Sequence, residues 1–384
     1  MTARRRALAA LAGTLAVAVL AAPPARADAI RTQEWALDSL RVQDAWRTTK
    51  GAGITVAVLD TGVDETHPDL RGRVLPGKDL VGFGAEPGER AWARHGTAMA
   101  GIIAGRGHGD GDADGVVGVA PQARILPVRV ILEDGDPARS RARGARGSAL
   151  ADGIRWAADH GADVINLSLG DDSDTAHPEP REDAAVQYAL RKGAVVVASA
   201  GNGGENGDHV SYPAAYPGVI AVAAVDRYGN RAPFSTRRWY ATVSAPGVDV
   251  VIADPDRRYY EGWGTSAAAA FVSGTAALLK AARPGLTAAQ VRRVLTATAK
   301  DAPDGGRSDD LGAGLIDPAA ALARARALPA DPPPPPAPRY FAGGPHGPRP
   351  TASAFRLTPP ALGAGAAGVL LLAAAGVLWR RRRS

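Results

Sequence analysis

At residues 54–60 the chain reads Ile54-Thr55-Val56-Ala57-Val58-Leu59-Asp60, an unbroken apolar and β-branched run that ends in a carboxylate. Runs of this kind are typical of strands that are buried on both faces of a parallel sheet. An acid at the carboxyl end of such a strand lies at the edge where open α/β sheets place their functional sites. Asp60 is therefore a candidate functional carboxylate, with a helix cap or turn residue as the competing interpretation. Asp64, past the strand, is expected to brace the turn.

Similar apolar runs recur along the chain and alternate with helical stretches. The strand-like runs are residues 54–59, 125–131, 163–169, 194–199 and 219–225, and the helical stretches are 148–160, 182–192, 266–282, 287–299 and 318–327. Strands that alternate with helices predict an α/β fold in which helices cover both faces of a mainly parallel sheet.

A candidate nucleophile, Ser266, lies where the turn Gly264-Thr265-Ser266 passes into an apolar helix of small residues, 267–274. A serine hydroxyl is a weak nucleophile at neutral pH. It therefore needs a base, a carboxylate that orients the base and a donor for the developing oxyanion. Asp60 is the candidate for the orienting carboxylate.

His95 is the candidate base because, among the seven histidines, it alone opens a helix-like segment of small residues, 96–105. Small side chains let a helix approach a sheet closely, so a base there can reach groups on adjoining elements. His67 is expected to have a structural role in a turn. The remaining histidines are expected to be solvated or to lie in a linker: His108, His160, His177, His209 and His346.

The candidate oxyanion donor is Asn202, in the segment Ala200-Gly201-Asn202-Gly203-Gly204 that follows a second buried run. An amide flanked by glycines can be aimed without crowding from neighbouring side chains. Its side-chain N–H and the main-chain N–H of Ser266 would together meet the oxyanion. The competing interpretation is a plain Asn-Gly turn.

The order Asp60, His95, Asn202, Ser266 resembles that of the subtilisin-like serine proteases. The segments that carry the resemblance are Val56-Ala57-Val58-Leu59-Asp60-Thr61-Gly62-Val63, His95-Gly96-Thr97, Asn166-Leu167-Ser168-Leu169-Gly170, Ala200-Gly201-Asn202 and Gly264-Thr265-Ser266. The resemblance covers about residues 34–322. It implies a three-layer subtilisin-like fold and a serine endopeptidase that needs no cofactor and no metal for catalysis.

The resemblance also implies roles for single residues. Asp60, His95 and Ser266 would be the catalytic triad, and Asn202 with Ser266 the oxyanion hole. Ser168, Leu169 and Gly170 would pair with the substrate backbone and wall the pocket for the residue before the cut. One departure is Ala270, where the family usually carries proline; it removes no chemical group from the site.

The two ends of the chain predict export and membrane attachment. Residues 1–27 combine Arg4-Arg5-Arg6, an apolar core and the small-x-small site Ala25-Arg26-Ala27, the layout of a signal peptide. Residues 361–379 carry no charge, are about 28 Å long as a helix and precede four arginines, which predicts a transmembrane helix with a cytoplasmic tail at 380–384. A buried core helix is the competing interpretation.

Between these ends, residues 28–328 are predicted to be the protease domain and residues 329–360 a semi-rigid linker, because that segment contains 12 prolines. The domain would face the outside of the cell membrane, held by one helix. The 24 residues from Asp28 to Gly51 are too few for a folded inhibitory prodomain, so none is expected.

This arrangement resembles that of the mycosins, membrane-anchored proteases of type VII secretion systems. It implies a protein or peptide substrate and a type VII secretion membrane complex as partner. Two other roles stay open: a scaffold that stabilises a secretion complex with dispensable proteolysis, and a general exported housekeeping protease.

Charge and cysteine content exclude other classes. Without the eight arginines of the signal peptide and the tail, the formal net charge falls from +6 to −2, so nucleic acid is not an expected partner. With no cysteine, the chain forms no disulfide and no thiolate metal site, and it has no cysteine nucleophile. The Gly- and Asp-rich residues 105–115 are expected to form a flexible surface loop. A calcium site there stays an open alternative, although the spacing matches no EF-hand.

Overall fold

The computed structural model describes residues 29–145 and 148–328, apart from the side chains of residues 143–145. The predicted signal peptide, linker, transmembrane helix, tail and His346 lie outside these described residues.

Within the described part of the chain, seven strands form one sheet, in the order β2-β5-β1-β6-β7-β8-β9, and every neighbouring pair is parallel. Two separate hairpins, β3-β4 and β10-β11, are antiparallel. The strands are β1 (Thr55–Asp60), β2 (Lys78–Asp79), β3 (Arg106–His108), β4 (Asp114–Val117), β5 (Arg124–Arg129), β6 (Val164–Leu167), β7 (Val195–Ser199), β8 (Ile220–Val225), β9 (Ala241–Pro246), β10 (Val250–Ala253) and β11 (Tyr259–Gly262). All five predicted strands are confirmed, each with ends within two residues of the prediction.

Helices cover both faces of the sheet, as the alternating pattern predicts. The helices are α1 (Trp35–Ser39), α2 (Val42–Trp46), α3 (Arg94–Ala104), α4 (Arg139–Ala145), α5 (Ala149–Asp159), α6 (Pro180–Arg191), α7 (Thr265–Ala282), α8 (Ala288–Thr298) and α9 (Pro318–Arg326). One hydrophobic core contains side chains of α3, α7, α8 and α9, and a second contains side chains of α5 and α6. The three-layer α/β fold is thereby confirmed.

The central strand β1 shows why its sequence lacks polar alternation. Val56 and Val58 belong to the core on one face of the sheet, and Ala57 and Leu59 belong to the core on the other face. Successive side chains of a strand point to opposite faces, so a strand covered by helices on both sides must be apolar at every position. Asp60, at its end, is also fully buried.

Helix α7 runs through the middle of the first core. Among the described residues it is the one helix long and apolar enough to cross a membrane, but 83% of its 18 residues are buried inside the domain. Small residues such as Ala268, Ala269 and Ala276 let it contact the strands closely. Its length and composition therefore reflect a core helix of the domain.

Two expectations about the segment around residue 108 are wrong. Residues 105–115 form most of the β3-β4 hairpin, with the expected surface character limited to the exposed turn residues 109–111. His108 is half-buried, and its Nδ1 lies 2.6 Å from an oxygen of the buried Asp69. The partner of His108 is 39 residues away, which is why local sequence suggested a solvated side chain. His67 fits its expected turn role: its Nδ1 accepts the Asp69 N–H, and its side chain is fully buried.

Candidate active site

Asp60 and His95 are brought into direct contact. The Nδ1 atom of His95 lies 2.8 and 2.9 Å from the two carboxylate oxygens of Asp60. Asp60 is fully buried and also accepts the Thr61 N–H at 2.7 Å, while the His95 side chain is about one third exposed (34%). The fixed carboxylate of Asp60 thus holds Nδ1 of His95, and Nε2 remains available to accept or donate a proton.

The contact depends on the close approach of α3 to the end of β1. A side-chain carbon at Gly96 would lie 1.9 Å from the Gly62 carbonyl oxygen, so only glycine fits there. The Gly96 N–H donates to Thr61 Oγ1, and the Asp64 N–H donates to Thr97 Oγ1. The small residues after His95 therefore let α3 approach the sheet closely, as the sequence predicts. Asp64 accepts the N–H and the hydroxyl of Thr66, which fits its expected role in the turn.

Ser266 lies in the first turn of α7 and opens onto the same cleft as His95. Its hydroxyl donates to the Ser168 carbonyl oxygen at 3.2 Å, and the Ser168 hydroxyl donates back to the Ser266 carbonyl oxygen at 2.8 Å. Within the described residues no hydrogen bond joins Ser266 to His95. The Ser266 hydroxyl is thus engaged by Ser168.

The Asn202 side chain is oriented by the start of α7. Its Oδ1 atom accepts both the N–H and the hydroxyl of Thr265, at 3.0 and 2.9 Å. These two hydrogen bonds fix the amide group, so that its Nδ2 atom points away from Thr265. A carbon placed at the Cβ position of Gly264 would lie 3.7 Å from Asn202 Nδ2 and 3.7 Å from the Ser266 main-chain nitrogen. Two N–H donors therefore flank one small space beside Ser266, and Gly264, at φ +139°, leaves that space open.

Replacing Asn202 by aspartate is expected to reduce kcat by at least about 10²–10³-fold. Aspartate keeps an oxygen that can accept from Thr265, but it places a negative charge where the donor stood. The measurement is kcat and KM for a peptide substrate. Thr265→Val is the matched control, because it removes only the hydroxyl contact to Asn202 and should cost far less. Equal losses in the two variants would contradict a donor role.

Ser168, Leu169 and Gly170 follow directly on β6. Ser168 is buried, whereas Leu169 is half-buried and Gly170 exposed. The segment therefore becomes accessible only toward Gly170, beyond the Ser168 contacts to Ser266. A Cβ at Gly170 would lie within 3 Å of the Ser211 hydroxyl and the Tyr212 carbonyl oxygen, so this position also needs glycine.

A buried polar chain behind the site escaped the sequence analysis. Asn166 Nδ2 donates to the Ser168 hydroxyl at 2.9 Å, and the Ser273 hydroxyl donates to Asn166 Oδ1 at 2.8 Å. All three side chains are buried, and the chain ties β6 to α7 next to Ser266. The available signal was Asn166 itself, an amide inside an otherwise apolar strand.

Glu133 is the second residue that the sequence did not reveal. Its carboxylate accepts the His95 main-chain N–H at 2.8 Å and lines the cleft. Burial by itself would lower the pKa of His95. The charge and hydrogen bond of Asp60, together with the nearby charges of Glu133 and Asp134, outweigh it and raise the pKa of His95 to about 9. The imidazole is thus held ready to carry a positive charge.

This raised pKa predicts an alkaline rate profile. A base must be neutral to take a proton, so kcat/KM should fall as the pH drops below the pKa of His95, well above the ordinary 6.5. Glu133→Gln keeps an acceptor for the His95 N–H but removes a charge that raises the pKa, so its acid limb should move to lower pH. Asp159 is a surface carboxylate bound to Lys192, so Asp159→Asn should leave the acid limb at the wild-type pH. Profiles that coincide for wild type and Glu133→Gln would contradict this electrostatic account.

Residues 29–145 and 148–328 contain no group of three or more histidine, aspartate or glutamate side chains arranged to hold a metal ion.

Comparison with known proteins identifies the family. The model of the subtilase family matches residues 51–314. The chain is 44% identical over 257 residues to Thermophilic serine proteinase of Bacillus sp. strain AK1, an alignment that covers 66% of this chain and 59% of the relative. It is 40% identical over 318 residues to Fervidolysin of Fervidobacterium pennivorans, covering 75% of this chain and 43% of the relative. The chain therefore spans only about half the length of these two relatives.

A similar solved structure is that of MycP1 from the ESX-1 type VII secretion system. It is 34% identical, covers 83% of this chain and 91% of the MycP1 chain, and superimposes with a TM-score of 0.68. The mycosin-like fold agrees with the resemblance that the domain arrangement suggested. The chain therefore belongs to the subtilase family, whose domain it forms with residues 51–314.

Proposed function

We propose that this protein cleaves peptide bonds with Asp60, His95 and Ser266 as catalytic triad, outside the cell membrane, in association with type VII protein secretion. The observation that carries the proposal is the bond from His95 Nδ1 to the buried Asp60, in the cleft onto which Ser266 opens. Protein or peptide chains are the substrate class. No nucleic acid and no cofactor enter the proposal.

In the proposed reaction, Ser266 Oγ attacks the carbonyl carbon of the scissile bond while His95 Nε2 takes its proton. Asp60 keeps the other proton on Nδ1 and stabilises the imidazolium. The tetrahedral oxyanion lies between Asn202 Nδ2 and the Ser266 N–H. His95 then gives its proton to the leaving amine, and water releases the acyl group from Ser266 by the same steps.

Substrate binding is proposed to use the segment Ser168-Leu169-Gly170. Its outer end is accessible, and the Ser266 hydroxyl already contacts the Ser168 carbonyl oxygen. An extended peptide that adds alongside would exchange main-chain hydrogen bonds with this segment and so bring its carbonyl carbon to the serine.

The proposed location rests on the sequence outside the described residues. Residues 1–27 would direct export and residues 361–379 would span the membrane, with 380–384 in the cytoplasm and 329–360 as the spacer to the domain at 28–328. The likeness to MycP1 from the ESX-1 system supports a type VII secretion complex as partner.

A deletion of the gene and the point variant Ser266→Ala separate the catalytic role from the two alternatives. If proteolysis serves secretion, both strains should lose export of type VII substrates. If the point variant secretes normally and the deletion does not, the domain acts as a scaffold. Normal secretion in both strains would instead fit a general housekeeping protease. Equal amounts of wild-type and Ser266→Ala protein in the membrane, measured by immunoblot, are the necessary control.

A further inference from the structure

One wall of the cleft carries an acidic side chain that forms no ion pair with a described lysine or arginine. Glu133 lines the cleft together with His95 and Ser266. The next residue, Asp134, is bound to Arg139 at 2.8 Å, whereas no lysine or arginine among the described residues forms an ion pair with Glu133. Glu133 therefore gives the cleft a negative charge beside the base.

The arginine that lines the cleft is already engaged in an ion pair. Arg94 lies 2.6 Å from the buried carboxylate of Asp254, and Asp256 and Tyr260 add to the electrostatic stabilisation of its charge. Arg94 is thus paired with Asp254 and forms no ion pair with Glu133 among the described residues.

The rest of the cleft is largely apolar. It is lined by Ala98, Met99, Ile252 and Trp263. Trp263 is 69% exposed, and its ring lies tilted against that of Phe234 with 5.1 Å between the ring centroids. An apolar wall with one carboxylate that is not paired with an arginine or lysine, Glu133, suits a side chain that has an aliphatic stem and a cationic head. Lysine and arginine are such side chains, since they lay their methylene groups on apolar surface while the charge reaches a polar partner.

On the basis of the proposed peptidase activity, we propose that the cleft selects peptides with a lysine or arginine side chain close to the scissile bond, and that Glu133 is the specificity-determining residue. Norleucine has a similar stem without the charge, so it fills the apolar part of the cleft but leaves Glu133 unpaired. Glutamate in the substrate would be repelled.

A bound substrate cation should also change the pKa of His95. Glu133 is one of the charges that raise the pKa of His95, so a substrate cation beside Glu133 would oppose that effect. The pH dependence of kcat reports the enzyme–substrate complex, and that of kcat/KM reports the free enzyme. For a lysine peptide, the acid limb of kcat should therefore lie at lower pH than the acid limb of kcat/KM. For the norleucine peptide, this difference should be smaller.

The test uses the full-length chain purified in detergent and a peptide that it cleaves. Lysine, norleucine or glutamate is placed in turn at each of the three positions on either side of the cut, and kcat/KM is measured. At one position or more, lysine should exceed norleucine by about 10-fold. Glu133→Gln should bring this ratio close to one, Glu133→Lys should favour glutamate, and Asp159→Asn should keep the wild-type ratio.

Wild-type enzyme that shows no lysine preference at any position would overturn the proposal, as would a preference that survives in both Glu133 variants. The melting temperature of each variant shows whether it is folded, and the ratio of two substrates on one enzyme preparation is insensitive to partial unfolding. Either of these two overturning results would leave the proposed peptidase function intact, because norleucine peptides would still be cleaved. Failure to cleave any peptide would instead contradict the proposed function itself.

Discussion

Ser266→Ala is expected to lower kcat for peptide hydrolysis by about 10⁶-fold, a magnitude known from subtilisin itself, which belongs to the same family. The change removes the attacking oxygen and one hydrogen bond, from Ser266 Oγ to the Ser168 carbonyl oxygen. The return bond from the Ser168 hydroxyl goes to a main-chain oxygen and survives. The variant should therefore unfold at nearly the wild-type temperature while its activity disappears.

Ser273→Ala is the matched control on the same helix. It leaves the buried Asn166 Oδ1 without the Ser273 donor, which should cost about 1–3 kcal/mol of stability and leave most of the activity. Calorimetry should thus show a loss of stability in Ser273→Ala but hardly any in Ser266→Ala. Initial rates should show the loss of activity in Ser266→Ala only. If Ser266→Ala keeps peptide cleavage, Ser266 is not the nucleophile.

Asp60→Asn is expected to lower kcat by about 10⁴-fold. The asparagine oxygen can still accept from the Thr61 N–H, but its amide would donate to His95 Nδ1. The ring proton would then lie on Nε2, the atom that should receive the proton of Ser266. Because the defect is a wrong tautomer, the rate should stay low at pH 10, where the wild-type imidazole is neutral.

Asp64→Asn is the control for this substitution. Asp64 lies four residues beyond Asp60, and its carboxylate accepts only from Thr66 among its described bonds, so kcat should hardly change. A rate that recovers to the wild-type level at high pH in Asp60→Asn would contradict the orienting role, because it would mean that Asp60 acts only on the pKa of His95.

Sequence reasoning recovered the fold where burial leaves a local pattern. The run at 54–60 is apolar throughout because both of its faces are covered, and α7 is rich in alanine because it packs closely against the sheet. The strand at one edge of the sheet, β9, was missed because Ala241–Pro246 contains Thr242, Ser244 and Pro246, which mask its burial. The β3-β4 hairpin was missed because its glycines and aspartates indicate turns.

The site could be predicted in its chemistry but not in its supporting contacts. Asp60, His95, Asn202 and Ser266 lie at element ends where glycine or small residues mark close approach. Glu133 gave no such signal, since its role comes from a main-chain contact to His95 38 residues away. The hydrogen bond of the Ser266 hydroxyl to Ser168, instead of to His95, was also beyond the sequence, because it depends on one side-chain rotation.

The most direct test of the central claim is reaction of the purified full-length chain with a fluorophosphonate, followed by mass spectrometry of the modified peptide. This reagent labels only a serine that is activated by a neighbouring base and oxyanion donors. We predict a single adduct on Ser266, formed more slowly as the pH falls and almost absent in His95→Ala. An unlabelled protein, or an adduct on a serine other than Ser266, would contradict the claim that these side chains form one catalytic site.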